Sequence, residues 1–334
     1  MTQQSSLTVA DSELQIEPSS ALGSVLVQPL PAGAFRAQPI ALNRKATSSE
    51  ALLIIAASCS RQIALNQAGV CGGSGEAVHQ MRVGLRRLRA AFSIFKSVLR
   101  QGEFEGLKRE LVWLTEQLAA ARDYDVLIAS KRSFEGLTGA TLGAQAELTR
   151  ELIYRQQEAF AAAGRAAASV RFERLVISLA VGLISRADEE GAGSRPVRDL
   201  ARRVLEQRTR RVLRRLARFA RLGVRERHEL RIVVKKLRYG TEFFATLFPK
   251  RSSKRFSREL EALQEALGRL NDISVHQRLA ADLLDDSTDQ ACAARRIAFA
   301  MGELTGNEQA ELRSLLAAVP KLRARLAKAP RFWR

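Results

Sequence analysis

Residues 79–95 read HQMRVGLRRLRAAFSIF, and residues 228–244 read HELRIVVKKLRYGTEFF. In each, a histidine is followed by basic residues at +3, +7, +8 and +10. These are His79 with Arg82, Arg86, Arg87 and Arg89, and His228 with Arg231, Lys235, Lys236 and Arg238. The two stretches stand 149 positions apart, and the register then continues without a gap. Phe95 matches Phe244, Arg109 matches Arg258, Leu114 matches Leu263, Leu118 matches Leu267, Asp123 matches Asp272 and Val126 matches Val275. One spacing held over so many positions marks an internal duplication.

Helical geometry turns the spacing into a surface. At about 100° per residue, the histidine and the cations at +3, +7 and +10 fall within roughly 80° of arc, with the +8 residue on the flank. The opposite side carries Met81, Leu85, Leu88, Phe92, Phe95 and Leu99 in the first copy, and Leu230, Val234, Leu237, Phe244 and Phe248 in the second. Each helix is therefore expected to bury one face and present the other as a row of cations. Like charges at i,i+3 and i,i+4 cost a few tenths of a kcal/mol per pair, and few acids relieve them here. A solvated basic face accounts for that poorly, whereas an anionic ligand accounts for it well.

Outside the motifs, the same periodicity persists. It places helices over 48–69, 76–100, 103–120, 124–135, 141–166, 169–186, 197–222, 225–248, 251–270, 273–285, 288–303 and 307–328, with breaks at Cys71–Gly75, Gly136–Gly143 and Asp188–Pro196. No strand or hairpin pattern stands out, so the fold class is all-α, with short loops pointing to packed bundles. Residues 1–45 hold four of the eight prolines and little periodicity, and read as a flexible or loosely docked extension. The remainder, 46–334, divides at the segment DEEGAGSRP into halves of about 46–190 and 191–334.

Helix 197–222 adds ten arginines against Asp199 and Glu206. Arg203, Arg211, Arg214, Arg218 and Arg221 share one face, with Arg208 and Arg215 beside it, and the helix runs directly into the His228 motif. Arg109 and Arg258, at matching positions, are secondary candidates. Asp123 and Asp272 read as salt-bridge or capping partners of these cations, not as catalytic bases. His276 lies outside the repeat and reads as an ordinary surface histidine.

The bulk charge agrees with a polyanionic partner. Fifty-four Lys and Arg against 35 Asp and Glu give a formal net charge of +19. Three cysteines, Cys59, Cys71 and Cys292, form no CxxC pair, and their odd number argues against a disulfide framework. Neither a secretory leader nor a membrane-spanning apolar run is visible, so a cytoplasmic protein without a membrane partner is expected. No cofactor or metal motif is found.

The motifs at 79–95 and 227–244, with LVWLTEQLAAARDYDV (111–126), LQEALGRLNDISV (263–275) and the closing PRFWR, resemble the CHAD family, the histidine-containing α-helical domain. The resemblance covers about residues 48–334. It implies two tandem, pseudo-symmetric four-helix bundles with cationic helices facing a central basic groove. It also implies binding of inorganic polyphosphate there and association with polyphosphate granules. Carried over by position, the binding set is His79, Arg82, Arg86, Arg87, Arg89, His228, Arg231, Lys235, Lys236 and Arg238. The triphosphate tunnel domain that often precedes this one has an ExExK signature, and ELQIE at 13–17 is not that signature. The expectation is a binding protein and not an enzyme.

Two other readings stay open on the residues alone. Nucleic-acid binding uses the same electrostatics, but aromatic content is 6% and the phenylalanines of both motif helices fall mostly on the core side. Weak competition by nucleic acids is expected. A phosphohydrolase acting on polyphosphate needs a metal cluster or a carboxylate pair, and neither HExxH nor a DxD-type site occurs.

Overall fold

The computed structural model describes residues 33–99, 102, 104–132, 142–187, 195–285 and 291–334. They form an all-α fold, and the single β-bridge among them joins Thr47 to Pro196. In the first half the helices are α1 (Ser48–Ala64), α2 (Gln67–Cys71), α3 (Gly75–Ile94), α4 (Glu105–Gln117), α5 (Ala119–Arg132), α6 (Leu142–Ala167) and α7 (Val170–Ala187). The second half holds α8 (Val197–Leu216), α9 (Val224–Phe243), α10 (Lys250–Asp285) and α11 (Ala291–Lys328), with 3₁₀ turns at Phe219–Arg221 and Ala245–Leu247.

Local chemistry sets the starts of the motif helices. Before α3, the Ser74 hydroxyl accepts a hydrogen bond from the Ala77 amide at 3.3 Å. Before α9, the Glu226 carboxylate reaches back to the Gly223 amide at 2.8 Å. The bounds of α3 and α9 themselves differ by the repeat offset, and both helices end on a phenylalanine, Phe95 or Phe244. Their apolar faces are buried as the periodicity requires. Met81, Leu85, Leu88, Leu230, Val234 and Leu237 are all fully enclosed. Gly84 lets α3 lie close on α1, since a Cβ there would meet Ile63 at 3.0 Å and the Cys59 carbonyl at 3.4 Å.

The principal packing between the halves pairs each element with its own repeat. Helix α1 packs on α8, α3 on α9, α5 on the matching part of α10, and α6 on α11. Single residues do the same. Thr47 bridges Pro196, the first position of each half's first helix is held by the other half (Ser48 N to Arg195 O and Val197 N to Ala46 O, both 3.0 Å), and the Phe95 and Phe244 rings meet at 5.9 Å. Contacts of a residue with its own counterpart are the mark of an isologous interface, here inside one chain.

The chain end is anchored. Phe332 and Trp333 are buried among Phe248 and Phe256. Glu206 accepts from Trp333 Nε1 at 3.1 Å, Arg331 at 2.6 Å and Arg334 at 3.1 Å. Burial opposes ionisation of Glu206, but the hydrogen bonds from Arg334, Trp333 and Arg210 win and hold its carboxyl down at about 2.

Several expectations are corrected. The expected breaks near 271 and 305 do not form, and α10 and α11 run through them. Asn and Asp end helices by competing for backbone groups, but Asn271 and Asp272 are engaged by His228 and Arg231. Packing of α10 along α11 overrides the weak propensity of the Thr305-Gly306-Asn307 stretch. Conversely, 48–69 divides at Leu65–Asn66, where the Asn66 side chain turns to bond Phe35 and Gln62. Of the extension, residues 1–32 lie outside the described residues; within the rest, Ile40 and Leu42 are buried, and Leu42 exchanges hydrogen bonds with Thr246. His276 is not a surface residue. It is fully buried, with Nδ1 2.7 Å from the equally buried Glu308, which Arg269 also approaches.

Candidate polyanion-binding site

Helices α3 and α9 lie side by side, so the two basic stripes are brought together. Arg82 and Arg86 from α3 meet Arg231 and Lys235 from α9. Arg231 is close enough to lower Arg82, Arg86 lowers Arg231, and both Arg231 and Arg86 lower Lys235. Burial is the larger cause in each case: it takes Arg82 down to about 10 and, with the neighbouring guanidinium groups, Lys235 down to about 6. Arg86 Nε donates to the Tyr239 hydroxyl at 3.3 Å across the seam. Arg82 donates to the Thr115 carbonyl at 3.1 Å, yet its Nε, like that of its repeat mate Arg231, is buried without an acceptor among the described residues. Such groups carry a desolvation cost of about 1–3 kcal/mol that a nearby anion offsets.

The repeated aspartates stand under this cluster. Asp272 lies 3.8 Å from Arg231, and Asp123 lies 3.3 Å from Arg278. Burial raises Asp123 against the pull of Arg82 and Arg278, with Asp272 opposing its charge from the other half. They are ion-pair partners, as expected. The two histidines differ in setting. His79 is pushed below 6.5 by burial and by Arg122 and Arg86. His228 is exposed, with Nδ1 2.6 Å from Asn271 Oδ1. Asn271 is the repeat mate of Arg122, so in each half the residue before the repeated aspartate faces the motif histidine. That position, and Tyr239 and Arg278, were missed by reading the stripes alone; the Arg-Asp and Asn-Asp dipeptides were the available signal.

The +8 residues part company. Arg87 is fully buried and points into the seam, not into the stripe. Its Nε and Nη2 donate to Glu242 Oε1 at 3.0 and 2.8 Å, and its Nη1 donates to Gln62 at 3.1 Å. Its mate Lys236 is exposed. The covered part of its side chain, and then Arg208, Arg89 and Arg211, lower its ammonium below the usual lysine range. Arg238 is taken by Glu261 at 3.1 Å. Among the secondary candidates, Arg211 joins Lys236, while Arg203, Arg214 and Arg218 are exposed on or after α8. Arg258 is exposed on α10, and Arg109 sits near Glu105 and Glu110, apart from the cluster.

Among the described residues, no group of three or more His, Cys, Asp or Glu is placed to hold a metal ion, and no helix is long and apolar enough to cross a membrane.

The chain is similar to known proteins over this whole arrangement. The CHAD domain model matches residues 54–281. The crystal structure of the CHAD domain from the plant Ricinus communis is 30% identical, with 86% of this chain and 97% of that chain covered and a TM-score of 0.74. PptA from Streptomyces chartreusis is 22% identical, with 83% and 99% covered and a TM-score of 0.62, a likeness of fold. No curated protein matches. With the paired histidine-basic helices in the expected order and the family model spanning both of them, the chain belongs to the CHAD domain family.

Proposed function

We propose that the protein is a non-enzymatic binder of inorganic polyphosphate, held in a basic groove between two matched helical bundles, for association with polyphosphate granules or as a scaffold. The observation that carries the reading is the meeting of Arg82, Arg86, Arg231 and Lys235 from opposite halves, where burial and then neighbouring cations depress Arg82, Arg231 and Lys235. A fold that gathers mutually repelling, half-buried cations at its seam gains stability when a polyanion joins them. Polyphosphate has about one charge per phosphate and no bases, so it asks for forked and compact N–H donors along a track, not for shaped pockets. Release of condensed counterions drives the association, and affinity falls steeply with salt.

The binding set is His79, Arg82, Arg86, Arg89, His228, Arg231, Lys235 and Lys236, with Arg211 added from α8. Arg87 is sealed against Glu242 and Gln62, and Arg238 is paired with Glu261 at the surface. Titrating wild type and an Arg82→Ala/Arg231→Ala variant with long-chain polyphosphate tests the reading: the variant loses most of the affinity. Equal binding by both, or failure of polyphosphate to displace RNA at equal phosphate concentration, overturns it. Incubation with polyphosphate and Mg²⁺ leaves the chain length unchanged if no hydrolysis accompanies binding.

A further inference from the structure

The repeat builds the same four-residue frame twice and fills it in opposite ways. In the first half the frame is Arg87, Gln62 and Cys59, closed by Glu242 from the second half. Shifted by the repeat offset, these positions become Lys236, Arg211 and Arg208, closed by Ser93 from the first half. The structure places both sets together. Arg87 bonds Glu242 and Gln62, and Cys59 lies close enough to feel the charge of both Arg87 and Glu242. In the other frame Arg208 donates to Ser93 Oγ at 3.1 Å and to the Lys236 carbonyl at 3.0 Å, with Arg211 and Arg89 alongside. One frame is a sealed ion pair. Its twin has three cations of its own, a fourth in Arg89, and a hydroxyl where the carboxylate would be.

We propose that the Lys236–Arg208–Arg211–Arg89 frame is a phosphoryl-binding subsite, in which a phosphate of the ligand takes the place that Glu242 fills in the twin, so that a long polyanion leaves the central cluster on this side only. Among the described residues, the charged groups acting on Lys236 are the cations Arg208, Arg89 and Arg211, with no carboxylate. Lys236, Arg211 and Arg89 are exposed, whereas Arg87 is not, so only this frame is open to a ligand. Along α3, Arg82, Arg86 and Arg89 share one face, which leads from the central cluster to the subsite. Arg208 is the residue that the stripe reading left aside. Its two hydrogen bonds hold the guanidinium between α8, α9 and α3, in the position Cys59 occupies in the sealed frame.

The inference rests on the polyphosphate reading and can fail without it. Ser93→Glu supplies the missing carboxylate and keeps every cation; Lys236→Ala/Arg211→Ala removes two of them. Both are compared with wild type for long-chain polyphosphate and for tripolyphosphate, across a salt series, with folding checked by circular dichroism. Each variant is expected to lose about tenfold in long-chain affinity, and the double variant to lower the salt slope by about 2, one for each phosphate contact removed. Tripolyphosphate, short enough to be held by the central cluster, keeps its affinity for Ser93→Glu, which alters no residue of the binding set. If wild type binds long chains, Arg82→Ala/Arg231→Ala abolishes that binding, and both subsite variants bind as wild type, the subsite is refuted and the reading stands. If wild type binds no polyphosphate, both fall.

Discussion

Arg87→Ala is expected to unfold the protein more easily without marking a ligand contact, and its repeat mate provides the control. Arg87 makes three hydrogen bonds, two to Glu242 Oε1 and one to Gln62 Oε1, and its guanidinium lies 5.7 Å from the Phe243 ring centre. Breaking a buried charge pair costs about 3–5 kcal/mol. The Glu242 side chain is 38% exposed, so water re-solvates its carboxylate and the lower end applies. Gln62 is fully buried and loses a partner, adding about 1 kcal/mol. The result is a loss of about 4 kcal/mol, against at most about 0.5 kcal/mol for Lys236→Ala at the exposed twin. Urea unfolding of both variants, followed by circular dichroism, measures the difference. Replacing both partners, Arg87→Met with Glu242→Leu, should recover most of the loss, because the desolvation cost disappears with the pair. If Arg87→Ala unfolds within 1 kcal/mol of wild type yet loses as much polyphosphate affinity as Arg82→Ala, Arg87 is a ligand contact and the burial argument is wrong.

Lys235 supplies a proton-linkage prediction. Its folded value of about 6 lies far below the unfolded one near 10.4, so the folded chain binds fewer protons across that window and stability rises with pH through it. A bound phosphate raises the value, so binding near pH 8 takes up a proton; calorimetry in buffers of different ionisation enthalpy should show this in wild type and lose it in Lys235→Met. His79 titrates below 6.5 in the free protein and moves up with ligand, so its contribution to affinity grows as pH falls through the bound value and levels off below the free one. NMR titration of the imidazole would read both, and an unmoved His79 signal removes it from the site. Cys59 is pushed up to about 12 by burial and should stay unmodified by a thiol reagent that labels exposed Cys71 in the native state, with mass spectrometry locating the label.

How far the sequence reached depends on the distance between the residues concerned. The buried and basic faces of α3 and α9 were readable because a helix repeats its surroundings every few residues, and the offset tied the two copies together. The fate of the +8 position was not readable from either copy. Arg87 and Lys236 are chemically alike, and what divides them is Glu242 or Ser93, each reached across the seam from the other half. His276 failed for the same reason: its partner Glu308 is on the next helix. The helix ends near 271 misled because Asn and Asp favour breaks unless distant groups occupy their side chains. Residues 33–46 looked loose because their few apolar anchors, Ile40 and Leu42, show no periodicity, although the core accepts both.

The contacts between repeat mates have an evolutionary consequence. In a dimer of identical chains, every substitution is made twice, so an acid placed against Arg87 would also appear against its twin, and both frames would be sealed or both open. Covalent fusion of the halves lifts that obligation. Glu242 can lock one side while Ser93 leaves the other exposed, and a single gene holds an ancestor's symmetric scaffold together with an asymmetric surface that no homodimer of either half could display.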